Sequence, residues 1–175
     1  MSEQPARYDR SFSGMIGAML VLLLVVGAFV AFRDLNRNNP ADPVTAITYS
    51  TSARFARRAA TFDLQAPRRL PSGWIATSVR FTDGQDQSWH LGCLTDQRRY
   101  VGLEQADAPL TSMLQEFVGD GAVRGADVQV AGRTWETWTT PDQDLALVRP
   151  TDQVTTVVVG RVPPSTLETF IRTLH

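Results

Sequence analysis

The chain has 175 residues, with 17 basic and 18 acidic side chains, a formal net charge of −1 and a single cysteine. So even a balance gives no long-range field to draw nucleic acid or an anionic membrane, and one cysteine cannot close an intramolecular disulfide. Every basic residue is arginine, which excludes Schiff-base, phosphate-loop and general-base chemistry by lysine.

Residues 1–14 carry Arg7 and Arg10 ahead of an uncharged apolar run, Met15 to Phe32, which Arg33-Asp34 closes. At ~1.5 Å rise per residue the run just crosses a ~30 Å hydrocarbon core as one helix. Arg7, Arg10 and the amino terminus slightly outweigh Arg33 and Arg37. A short tail ahead of a first hydrophobic segment stays cytoplasmic while the domain after it is translocated. Val26-Gly27-Ala28 offers a signal peptidase a small residue, but the apolar run continues to Phe32, which favours an uncleaved signal anchor. The expected organisation is a cytoplasmic tail at 1–14, a transmembrane helix at 15–32, a linker at 33–43 and an extracytoplasmic domain at 44–175, single-pass in the cell membrane.

Within the domain, Ser52 to Phe62 reads as a short helix with Phe55, Ala59 and Phe62 on one face and Arg54, Arg57 and Arg58 on another. Trp74–Phe81, Ser88–Leu94 and Arg99–Glu104 read as strands, followed by a helix with Asp107 as its N-cap and Gly119 at its end. Val128–Val130 and Arg133–Thr139 form a hairpin about Ala131-Gly132, and Leu145–Arg149 and Thr155–Val159 continue the sheet. Ser165 and Glu168 have the spacing of a capping box on a last helix. The stripe Leu110, Met113, Leu114, Phe117 recurs 57 residues later as Leu167, Phe170, Ile171, Leu174. The fold class is therefore α+β: an antiparallel sheet of 6–7 strands with helices packed on one face, organised as two β-β-β-α units.

Chemistry-bearing motifs are few. There is no Gly-rich phosphate loop, CxxC, HExxH, GxSxG or EF-hand loop, and histidine occurs only at His90 and His175. One internal histidine builds no zinc site, Cys93 points to the opposite strand face from His90, and an exposed edge position is the expected setting of that histidine. Asp96, Glu104, Asp144 and Asp152 fall mostly at turns. No catalytic residue, metal or cofactor is expected. The four tryptophans are the functional hint, since Trp135 and Trp138 lie on opposite faces of a regular strand and one of them reaches the open face. The expected contact surface is Trp135, Trp138, Arg133 and Glu136.

Leu70-Pro71-Ser72-Gly73-Trp74, Ala76 to Phe81 (ATSVRF), Trp89-His90-Leu91-Gly92, Tyr100 to Gln105 (YVGLEQ) and Gly132-Arg133-Thr134-Trp135 follow one another in fixed order. In that order they resemble an actinobacterial, membrane-anchored family of unknown function, DUF4245, from the span to the C-terminus. The resemblance implies an N-terminal span and an extracytoplasmic α+β domain, and brings no catalytic residues. The expected role is a non-catalytic binding or accessory domain that contacts another envelope protein or a membrane complex, not an enzyme. The alternative is a module for an envelope lipid or glycan.

Overall fold

The computed structural model describes residues 44–140 and 143–175, together with positions 19, 22 and 26. The expected tail, span and linker therefore lie outside the described residues, save that Met19, Leu22 and Val26 are helical and exposed. No helix among the described residues is long and apolar enough to cross a membrane. Thr45–His175 is a compact unit by itself.

Helix α1 (Ser50–Ala59) precedes a three-strand meander of β1 (Ile75–Thr82), β2 (Ser88–Leu94) and β3 (Tyr100–Ala106). Helix α2 (Leu110–Phe117) leads to the short β4 (Val123–Arg124) and the hairpin of β5 (Val128–Val130) with β6 (Arg133–Thr139). Then come β7 (Leu145–Pro150), β8 (Thr155–Gly160) and α3 (Pro164–Ile171). All pairings are antiparallel, in the order β1-β2-β3-β8-β7-β6-β4, with β5 on the first half of β6. The sheet has eight strands, one more than expected; the addition is β4, whose two residues are too few to show periodicity. Ala131 and Gly132 both take positive φ (51° and 73°), as a two-residue hairpin turn that follows strand twist requires.

Alternation along the strands splits the apolar residues between two cores. Leu145, Leu147 and Val158 face one side, where they join Trp89, Leu91 and Leu103, α1 through Ala53 and Ala56, and α3 through Leu167, Phe170 and Ile171. Ala146, Val148 and Val157 face the other side and pack under Met113 and Leu114 of α2. The expectation of helices on one face is thus corrected: α1 and α3 share a face, and α2 lies on the opposite one. Each half of the chain does run as a meander followed by a helix, but the two helices end on different sides, so the pair of units is not repeated in space.

Several local expectations change as well. Phe55 is 63% exposed and only edges against Phe81 (ring centroids 6.3 Å apart), because α1 buries its alanines. Neither later helix has a side-chain cap: Pro109 and Pro163 occupy the N-cap positions, which places Ser165 inside the first turn and Asp107 outside the helix. Gly119 ends α2 as expected, with φ of 100° and its N–H donated to Leu114 O (2.9 Å). Polar clamps hold the irregular segment after α1. Arg57 donates to the main-chain oxygens of Leu64, Ala66 and His175 (3.3, 3.1 and 3.0 Å). The buried Gln105 accepts from Gln65 N (2.7 Å) and donates to Thr156 Oγ1 (3.0 Å). Buried polar groups satisfied in this way fix one chain path, because the alternative leaves them unpaired.

Candidate functional site on the α2 face of the sheet

Register carries two rows of side chains straight across the α2 face. One runs Ser78, Gly92, Gly102, Val159, Ala146, Trp138; the next runs Arg80, His90, Glu104, Val157, Val148, Glu136. Under α2 both rows are apolar. On the β1–β3 side of the helix they turn polar, with Gly92 and Gly102 beneath the Tyr100 ring.

A shift in the β1–β2 register between Ala76 and Ser78 sets the geometry of that polar half. After it, Ser78 stands beside the pair that His90 makes with Arg80 and reaches His90 diagonally. Ser78 Oγ lies 2.7 Å from His90 Nε2, and His90 Nδ1 lies 2.6 Å from Glu104 Oε1. An ionised carboxylate only accepts, so Nδ1 carries the imidazole hydrogen and Nε2 accepts from the Ser78 hydroxyl. Ser78, His90 and Glu104 thus form one hydrogen-bonded line across three adjacent strands. Glu104 is almost fully covered (6% exposed), and burial pushes its pKa up, while the hydrogen bond from His90 pulls it back.

Gly92 and Gly102 face each other in the ladder and form a floor without side chains. The Tyr100 ring lies over both: a Cβ on Gly92 would sit 3.0 Å from its Cε2 and 3.1 Å from its hydroxyl, and one on Gly102 would sit 3.0 Å from that hydroxyl. A Cβ on Gly92 would also run into Ser78 Oγ. The serine and tyrosine hydroxyls therefore both border the space that a Gly92 side chain would take. Burial, then the charges of Glu104 and Cys93, pushes the Tyr100 hydroxyl up to about 12, so it stays a donor at neutral pH.

Next to this line a groove of about 540 Å³ opens between the sheet and α2. His90, Glu104 and Arg80 form its polar floor, and Phe117, Ala108 and Pro109 an apolar wall. Asp86, Asp107 and Glu116 stand around it, so its surroundings are net acidic.

The four residues expected to form a contact surface do not share a face. Trp135 is 2% exposed in the main core, with the Arg149 guanidinium 5.9 Å from its ring centre, and Arg133 at that end of β6 donates to Gln65 Oε1 (3.3 Å). Trp138 and Glu136 lie on the α2 face beyond the helix. There Trp138 is half-buried and donates to Glu136 Oε2 (3.0 Å), and Arg124 pairs with the same carboxylate (3.4 Å). Cys93 is buried on the opposite face from His90, as parity predicts, and burial pushes its thiol up to about 12, which leaves it inert. His90 is not an edge residue: it stands on β2, between two strands, with its side chain 27% exposed. Of the four carboxylates, only Glu104 reaches the site; Asp144 pairs with Arg161 (3.2 Å), and Asp96 and Asp152 are exposed. Among the described residues no cluster of His, Cys, Asp and Glu is suited to hold a metal ion.

The family model described as "Protein of unknown function (DUF4245)" matches residues 7–174, nearly the whole chain. The chain belongs to that family. Comparison with curated proteins gives no match.

The sequence held one unused signal for this site. Ser78, Arg80 and Thr82, then Ser88 and His90, then Glu104 are polar or charged at alternate positions of three successive strands. A sheet face that stays polar through consecutive strands is one that no helix covers.

Proposed function

We propose that this chain is a membrane-anchored, extracytoplasmic binding module, and that its ligand site is the groove beside α2. The reading of 15–32 as an uncleaved signal anchor supplies the address, from its length and apolarity. The observation that carries the binding role is a polar floor against an apolar wall in a groove large enough for a small molecule. That combination suits an amphiphile. The excess of carboxylates around the groove disfavours an anionic headgroup, and Arg80 and His90 on the floor suit hydroxyl and carbonyl oxygens. A neutral, hydroxyl-bearing lipid or glycolipid of the envelope fits best. Contact with an envelope protein through Trp135, Trp138, Arg133 and Glu136 has less support, because the four are divided between two faces and Trp135 is enclosed.

Titration of the full chain, in lauryldimethylamine oxide micelles, which carry no hydroxyl headgroup, with 1-octanoylglycerol while amide NMR shifts are followed tests the reading. Shifts concentrated at His90, Glu104, Ala108 and Phe117 are expected, with none at Arg133. Shifts spread evenly over the surface, or absent at saturating probe, would remove it.

A further inference from the structure

We propose that Ser78 is the nucleophile of an acyl-transfer site and that the domain hydrolyses an uncharged carboxylic ester. The choice of substrate rests on the binding reading above; the assignment of the nucleophile rests on geometry alone.

Acyl transfer by serine needs a base within hydrogen-bond reach of the hydroxyl, a group that orients the base, and a donor where negative charge develops. The first two are present at 2.7 Å and 2.6 Å, through the two nitrogens in the productive order: Nε2 toward the serine and Nδ1 toward the carboxylate. Glu104 is enclosed and His90 partly open, so the orienting group is fixed while the base stays reachable. The third is the Tyr100 hydroxyl, whose ring packs over the Gly92–Gly102 floor and which borders the same Gly92 position as Ser78 Oγ. All four side chains stand on hydrogen-bonded strands, whose ladders hold relative positions better than loops do.

In the step itself, Ser78 Oγ bonds to the ester carbonyl carbon while its proton passes to His90 Nε2. The carbonyl π pair moves onto oxygen, where the Tyr100 hydroxyl donates to it. Collapse breaks the carbon–alkoxide bond, and the departing alkoxide takes the proton from His90. Water then attacks the acyl-serine, with His90 again accepting and returning the proton, and this releases the carboxylic acid and restores Ser78. Glu104 acts as a positioning residue that keeps the proton on Nδ1.

The full chain in lauryldimethylamine oxide is treated with a fluorophosphonate probe, located by peptide mass spectrometry, and assayed with 4-nitrophenyl butyrate. One adduct on Ser78 is expected, absent in Ser78→Ala and reduced at least ~100-fold in rate by His90→Gln. Tyr100→Phe should lower kcat by about 10- to 100-fold with little change in KM, and Glu104→Gln should lower kcat and alter the pH–rate profile. Ser78→Cys guards against a folding artefact: it should exchange fluorophosphonate labelling for iodoacetamide labelling at position 78, while buried Cys93 stays unmodified. No adduct on the wild type, or hydrolysis unchanged in Ser78→Ala, overturns the assignment. 1-Octanoylglycerol shifts that persist in Ser78→Ala while the wild type shows neither adduct nor turnover would leave the binding reading standing and this one fallen. An adduct on Ser78 without such shifts would keep the nucleophile and discard the lipid substrate.

Discussion

Glu104 and Val157 face each other in the β3–β8 ladder, on the same side of the sheet. One is a carboxylate bonded to a histidine, the other an apolar residue sealed under α2. The boundary between the halves of the domain runs between them. On the α1/α3 face the halves contribute alike to one continuous core, which holds Leu91 and Leu103 from one meander and Leu147 and Val158 from the other. The α2 face is divided: β7 and β8 lie beneath the helix, and β1–β3 lie open. The same eight-stranded scaffold thus performs two tasks, and the placement of one eight-residue helix decides which half gets which. Packing under α2 supplies stability on that side, and among the described residues no second helix covers the polar shelf on the other.

The sharpest way to break this comparison is to make its two sides alike. Val157→Asp puts a carboxylate under α2 with no histidine to meet it, and an uncompensated buried charge costs about 3–5 kcal/mol. The variant should unfold at much lower denaturant concentration, read by circular dichroism in urea. Stability near that of the wild type would mean that α2 lifts away easily and that the divided face is not a structural boundary. A smaller loss is expected from Gly92→Ala, whose methyl group meets Ser78 Oγ and the Tyr100 ring and overpacks by about 1–3 kcal/mol. It should also separate Ser78 from His90, so the His90 imidazole signals should move by NMR while the α2 cluster resonances stay in place. A stable variant with an undisturbed imidazole would show that the glycine floor is incidental.

How much of this could be read in advance differs between the halves for a physical reason. Ser88–Leu94 was legible to the residue, because its apolar positions alternate between bounding turns. The stripes of α2 and α3 were legible too, since Met113 and Leu114, and Leu167, Phe170 and Ile171, are the buried residues. The face on which each helix lands was not, because the three residues from β3 to Leu110 and those from β8 to Pro164 resemble each other in length and in proline. The site was hidden by register. Ser78, His90 and Glu104 lie 12 and 14 residues apart, spacings with no signature of their own. Only the irregularity after Ala76 and the direct pairing of His90 with Glu104 bring the three together. Parity put Trp135 and Trp138 on opposite faces of β6, but which of the two was enclosed depended on where the helices land.

The smallest effect concerns Glu104 itself, and it distinguishes burial from pairing as the force that sets its charge. Burial raises its folded-state pKa, so the fold favours the protonated form. Stability from that preference is fully present below the unfolded value, about 4.3, and is lost as pH rises through the raised folded value. Glu104→Gln never ionises, yet its amide oxygen still accepts from His90 Nδ1. The stability of the variant relative to the wild type should therefore climb as pH goes from 4 toward 8, by less than the loss caused by Gly92→Ala. Thermal melts of both proteins across that range measure the difference, and the other carboxylates cancel because both proteins share them. If the difference instead falls with pH, the His90 partner outweighs burial, and the open half of the sheet stabilises a carboxylate anion that its neighbour Val157 could never tolerate.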